Sequence, residues 1–139
     1  MIEFHFETDF KLTETKKHAD WVERICVSEG YSAGDINFIF CDDSFLLEIN
    51  KKHLQHDTYT DIITFDYTIG RKISGDIYIS IERVQENAET YGVSLTNELL
   101  RVMAHGLLHL AGYQDKKEKH IKEMRFKEEE KIKMFHVEQ

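Results

Sequence analysis

Hydrophobic and polar residues alternate at the start of the chain: Ile2, Phe4 and Phe6 stand between Glu3, His5 and Glu7, which predicts a strand. The period then lengthens. Trp21, Val22, Ile25 and Cys26 share one helical face, and the spacing predicts a helix capped by Thr13, reaching Ser28 and stopped by Gly30. Asp35 to Cys41 reads as a second strand. Asp43 caps a helix to about Leu54 that buries Leu46 or Leu47 with Ile49. Asp61 to Tyr67 and Ser74 to Ser80, rich in Ile, Thr, Phe and Tyr, read as strands joined by a hairpin or short connection. Ile81 to Tyr91 is a helix ended by Gly92, and Thr96 caps the next one. The last helix, Lys116 to about Phe135, carries Ile121, Met124, Ile132 and Phe135 as a stripe among solvated Lys and Glu residues. The order predicts an α+β fold: a small mixed sheet of about four strands covered by helices. Residues 1–139 read as a single domain.

The helix after Thr96 carries the chemistry. It runs Arg101-Val-Met-Ala-His105-Gly-Leu-Leu-His109-Leu-Ala-Gly112-Tyr-Gln-Asp115. Positions i and i+4 lie one above the other, so His105 and His109 share a face. Gly112 can turn the chain back in a left-handed conformation and bring Asp115 toward the imidazoles. Eight histidines in 139 residues give about half a pair at this spacing by chance, so the setting matters more than the pair. From Val102 to Leu110 the two imidazoles are the only polar side chains of an otherwise apolar helix. That helix is therefore expected at the centre of the fold, its histidines sharing one partner. Two nitrogens, one carboxylate oxygen and an open position suit a catalytic Zn²⁺, one per chain, with a water of pKa lowered toward ~7 in the open position. His120 is the reserve third ligand.

The spacing is close to the zinc motif of metzincin peptidases, but Gly106 stands where those enzymes place their glutamate base. This disfavours peptide hydrolysis. Composition narrows the field further. No apolar run approaches the ~20 residues that span a membrane, and the first residues lack the basic flank of a signal peptide. Cys26 and Cys41 form neither a disulfide scaffold nor a Cys-x-x-Cys site. A cytoplasmic protein with free thiols is expected.

With these motifs the chain resembles the YbeY family of endoribonucleases, or rRNA maturation factors. His105-Gly-Leu-Leu-His109-Leu-Ala-Gly112-Tyr113 is similar to the family signature, although the usual Asp-His continuation is here Gln114-Asp115. Ile49-Asn50, Asp57, Thr60-Asp61-Ile-Ile-Thr-Phe65, Gly75-Asp76-Ile77, Glu98 and Met124 also fit. Leu54 replaces an arginine implicated in activity, and Tyr59 replaces a proline. The resemblance implies a metal-dependent endoribonuclease that cuts single-stranded RNA, matures the 3′ end of 16S rRNA and serves ribosome quality control on the small ribosomal subunit. The alternative, favoured by Leu54 and Asp115, is a ribosome-assembly or RNA-binding factor whose metal is structural.

A net charge of −8 opposes RNA binding overall, since phosphate contacts come from Lys and Arg. The RNA reading therefore rests on the resemblance and on local patches: Lys51, Lys52 and His53 with His56 nearby, and Arg71 with Lys72. Arg101, one turn before His105, is expected to face the metal cleft and bind a phosphate together with Lys51 and Lys52. Glu98 is expected to orient a ligand from behind.

Overall fold

In the computed structural model, which describes residues 1–54 (side chains to 52) and 60–137, the strands form one mixed sheet. The chain order is β1 (Ile2–Phe6), α1 (Thr15–Ser28), β2 (Ser32–Cys41), α2 (Asp43–Leu54), β3 (Ile62–Asp66), β4 (Lys72–Ser80), α3 (Ile81–Tyr91), α4 (Leu95–Leu110) and α5 (Glu118–His136). The sheet order is β1-β2-β4-β3. β1 and β4 both run parallel to β2, and β3 closes an antiparallel hairpin on β4. The expected α+β class and four-stranded mixed sheet are what the chain forms.

Strand alternation divides the core. Ile36, Phe38 and Phe40 of β2 with Ile73, Ile77 and Ile79 of β4 point into the main core, where α1, α4 and α5 pack. Cys41, Tyr78 and Ile63 point to the opposite face, under Leu46 and Ile49 of α2. α4 lies at the centre: Leu99, Leu100, Val102, Met103, Ala104, Leu107, Leu108 and Leu110 are all buried. A helix apolar on every side must be enclosed on every side. No described helix is long and apolar enough to cross a membrane.

Gly106 explains how close α4 sits to the sheet. A Cβ there would lie 3.0 Å from both Ile62 Cδ1 and Ile77 Cγ2. No glutamate fits this face, which turns into the core, away from the imidazoles.

Three expectations need correction. The caps are not Thr13 and Thr96: Glu14 precedes α1 in a left-handed conformation without a side-chain cap, and Ser94 caps α4 by accepting from Asn97 N. For α2, Asp42 accepts from Phe45 N, freeing Asp43 to accept from Ser80 and Arg83. The stripe of α5 omits Ile121, which is exposed, and instead includes Glu128 and Lys131 between Met124, Ile132 and Phe135. Lys131 is 0% exposed and is accommodated because its ammonium donates to Ser28 Oγ, Glu29 and Glu130.

Candidate metal centre

The site begins at the C-terminal half of α4. His105 and His109 lie one turn apart. Past Ala111, Gly112 takes a φ of +101°, a region that L side chains rarely enter, and the chain doubles back. Asp115 thereby reaches the imidazoles. His105 Nε2 and His109 Nε2 are 2.9 Å apart, and Asp115 Oδ2 lies 3.1 Å from the first and 3.2 Å from the second.

The outer nitrogens fix what this triangle can be. His109 Nδ1 is 3.0 Å from the carbonyl oxygen of Tyr113. A carbonyl only accepts, so Nδ1 carries the hydrogen and, in the neutral ring, Nε2 is left with its lone pair. His105 Nδ1 donates in the same way to Glu128 Oε2 at 2.7 Å. Two lone pairs and a carboxylate therefore converge with no donor among them. Only a cation, or protons in its stead, satisfies all three. Ligands about 2.0–2.1 Å from a tetrahedral ion stand roughly 3.3 Å apart, close to the observed edges. The three atoms fit a divalent metal, and their side chains are each about one-fifth to one-third exposed (21%, 26% and 34%), leaving an approach from solvent.

Glu128 is the residue that sequence reasoning missed. It is buried on α5, and its Oε1 accepts from Arg101 Nη1 at 3.2 Å while Oε2 holds His105. The opposing influences on His105 are resolved in favour of the proton: burial is the largest and disfavours charge, but the hydrogen bond and charge of Glu128, with Asp115 and Asp61, together raise the imidazole pKa. A signal existed in the sequence. Position 128 falls one turn from both Met124 and Ile132, so a carboxylate interrupts the apolar stripe of α5. Tyr113, whose carbonyl sets His109, is itself fixed: its hydroxyl donates to Glu29 Oε1 at 2.6 Å, and Lys127 and Lys131 donate to Glu29 Oε2.

The other expected site residues fall as follows. Arg101 lines the cleft with His105 and Asp115, but its guanidinium is engaged by Glu128 and Glu129. Glu98, expected to orient a ligand from behind, has its carboxyl 3.7 Å from Arg101 Nε, one turn before His105. Lys51 and Lys52 are exposed on α2 and are not among the residues lining this cleft. Arg71 reaches the far flank of the ligand turn, its guanidinium over the Tyr31 ring in a depression shared with Gly112, Tyr113 and Gln114. His120 lies in that depression and outside the ligand triangle. The side chains of His53 and Leu54, and residues His56, Asp57 and Tyr59, lie outside the described residues. Asp61 joins the cleft from the edge of β3, and burial pushes its carboxyl pKa upward.

Comparison with known proteins agrees with this architecture along the whole chain. The profile of the family described as Endoribonuclease YbeY matches residues 3–136. This chain belongs to the YbeY family. Its relatives of that name include one from Flavobacterium johnsoniae, 54% identical over 139 residues and covering 100% of both chains. Another, from Cytophaga hutchinsonii, is 46% identical over 127 residues, covering 91% of this chain and 89% of the relative. The solution structure of a Thermotoga maritima protein superposes with a TM-score of 0.67 at 28% identity, over 97% of this chain and 89% of that one.

The YbeY-like motifs have positions in the fold. Gly75-Asp76-Ile77 lies in β4, where a Cβ on Gly75 would come within 2.5 Å of the Phe65 carbonyl oxygen. Ile49-Asn50 lies on α2 behind the hairpin, and Met124 packs at the cleft on α5.

Proposed function

We propose that this YbeY-family chain is a metal-dependent endoribonuclease that cuts single-stranded RNA, with residues 1–139 acting as one domain. Its setting is rRNA maturation in the cytoplasm, at the 3′ end of 16S rRNA on the small ribosomal subunit. The observation that carries the reading is the convergence of His105 Nε2, His109 Nε2 and Asp115 Oδ2, 2.9–3.2 Å from one another, at the mouth of a cleft. The relatives' shared name, Endoribonuclease YbeY, supplies the reaction class.

His105, His109 and Asp115 would hold the ion, and two nitrogens with one oxygen at near-tetrahedral spacing favour zinc. Such an ion, when bound, supplies Lewis-acid polarisation of a phosphoryl oxygen and stabilises charge as the phosphodiester breaks. The chain's own groups do the rest. Glu128 and the Tyr113 carbonyl hold the imidazole hydrogens on Nδ1, so both Nε2 lone pairs stay aimed at one point. Asp115, where the family usually has histidine, lowers the charge of the site by one, which weakens its pull on a phosphate. Arg101, fixed in the cleft wall, and Lys51 and Lys52, exposed on α2, hold phosphates of the strand.

The test is cleavage of labelled single-stranded RNA by the pure protein. The wild type cuts, a chelator and His109→Ala each abolish cutting, and Arg101→Ala slows it by a smaller factor. Cleavage that survives both chelation and His109→Ala would assign the activity to a contaminant, and the assembly-factor reading would replace this one.

A further inference from the structure

The cleft that His105 and Asp115 line has a volume of about 270 Å³, and away from them its wall is formed by Asn87 and Tyr91 of α3 and by Glu98 and Arg101 of α4. The ribonuclease reading uses only the end nearest His105. The far end holds an anomaly. Glu98 is 3% exposed, and its Oε1 is buried without a hydrogen-bond partner. The nearest cation, Arg101 Nε, is 3.7 Å away, beyond hydrogen-bonding distance, and the guanidinium is given to Glu128 and Glu129 instead. Buried acceptors are almost always answered. This carboxyl oxygen, in the wall of a cavity, is not.

The surroundings define what would answer it. Asp61, Glu98, Asp115 and Glu128 face two guanidiniums, Arg101 and Arg125, across the cavity. At the Glu98 end, where the unanswered atom is a carboxyl oxygen, a neutral hydrogen-bond donor suits the wall better than an anion does. Asn87 and Tyr91 are four residues apart on α3, hence on one face; the Tyr91 ring is 58% exposed at the rim and offers a stacking surface, and the Asn87 amide offers both donor and acceptor. From Glu98 to His105 is seven residues of α4, about 10 Å of helix rise. That separation is within reach of one or two nucleotides of an extended strand whose phosphate lies at the metal ligands.

We propose that this cavity is a nucleobase subsite in which Glu98 accepts from an amino-bearing base (adenine, cytosine or guanine) while Tyr91 stacks on it and Asn87 reads its edge. It rests on the ribonuclease reading, and gives that activity a base preference next to the cut. Exocyclic amines donate to carboxylates, as in the known pairing of Glu or Asp with cytosine N4. Uracil presents its one N–H between two carbonyl oxygens that repel a carboxylate, and is disfavoured.

The experiment uses the zinc-loaded full chain. Binding of adenosine, cytidine, guanosine and uridine is followed by NMR at the Asn87 amide and the Tyr91 ring, and cleavage is measured on RNAs with each base placed beside the cut. At least one amino-bearing nucleoside should bind about tenfold more tightly than uridine, with the matching preference in kcat/KM. Glu98→Gln, which keeps the shape, should bring that ratio to within about twofold. Tyr91→Ala, at an exposed position that does not threaten the fold, should weaken all nucleosides by roughly fivefold or more. Equal binding of all four nucleosides, or a preference unchanged by Glu98→Gln, would overturn the subsite. Cleavage without base preference overturns the subsite and leaves the ribonuclease reading standing. Glu98-dependent nucleoside binding without cleavage does the reverse.

Discussion

Glu128 and His105, 23 residues apart in sequence, are joined by a 2.7 Å hydrogen bond from the imidazole Nδ1 to the carboxylate. Arg101 holds the other oxygen of the same carboxylate from one turn earlier on α4. One residue of α5 thus fixes both the tautomer of a metal ligand and the position of the cleft arginine. Glu128→Ala should lower metal affinity by about 10–100-fold, the usual cost of losing a group that orients a ligand. Glu128→Gln, still able to accept through its amide oxygen, should lose less. Competition against a chromophoric chelator reads both, and equal affinity in all three proteins would remove Glu128 from the site.

Glu29, whose side chain is 8% exposed, predicts a pH dependence of folding. Burial alone would raise its pKa and is the largest single influence. Hydrogen bonds from Lys131, Tyr113 and Lys127, with the charge of Lys131, outweigh it and hold the group below its ordinary value of 4.5. A carboxyl depressed in the folded state contributes stability above its unfolded pKa and loses it as pH falls through the folded value. Glu29→Gln should therefore cost on the order of 3 kcal/mol near neutrality, because the buried Lys131 ammonium is left with Ser28 Oγ and the half-exposed Glu130 carboxylate. The gap should narrow as pH drops below about 4.5. Denaturant midpoints across that range check the sign; a gap that widens toward acid would be the wrong one.

Gly106→Ala sets two effects against each other. Alanine gains about 1 kcal/mol in helix propensity. Its Cβ, however, meets Ile62 and Ile77 at 3.0 Å, and overpacking of this kind costs about 1–3 kcal/mol. Net destabilisation of about 1 kcal/mol is expected, seen as a fall of a few degrees in Tm. A rise in Tm would show that α4 can lift off the sheet freely.

Both thiols should be inert in the folded protein. Burial pushes Cys26 up to about 11 and Cys41 up to about 12, and only the thiolate reacts. Alkylation at neutral pH should wait for unfolding, when both cysteines label together. Rapid labelling of the native protein, followed by mass spectrometry, would contradict the burial of Cys26 in the main core and of Cys41 on the opposite face of the sheet.

Much of this was legible in residue order, for physical reasons. The strands around Phe4, Phe38 and Ile77 show their period because one face of each packs on the main core. The centrality of α4 follows from its apolar circumference, and the return to Asp115 from a glycine that tolerates positive φ. Charged residues were harder. Glu128 and Lys131 sit in a run that reads like any solvated helix face, and only the partners α5 meets, His105 and Arg101 for one and Ser28 and Glu29 for the other, mark them as interior. Arg101 lines the cleft, as its place one turn before His105 implies, but its engagement by Glu128 and Glu129 depends on how α5 docks. The caps were shifted because Ser94 and Thr96 are equally good candidates by type, and backbone geometry decides between them.

The central claim is that one ion, held by His105, His109 and Asp115, confers cleavage of single-stranded RNA. Stepwise return of zinc to chelated protein tests it most directly. The account predicts that cleavage rises from zero and reaches its plateau at one equivalent per chain, and that the His105→Ala/His109→Ala double variant neither retains the ion nor cuts at any zinc concentration. Full cleavage by the metal-free protein, or one equivalent retained by the double variant, would contradict it.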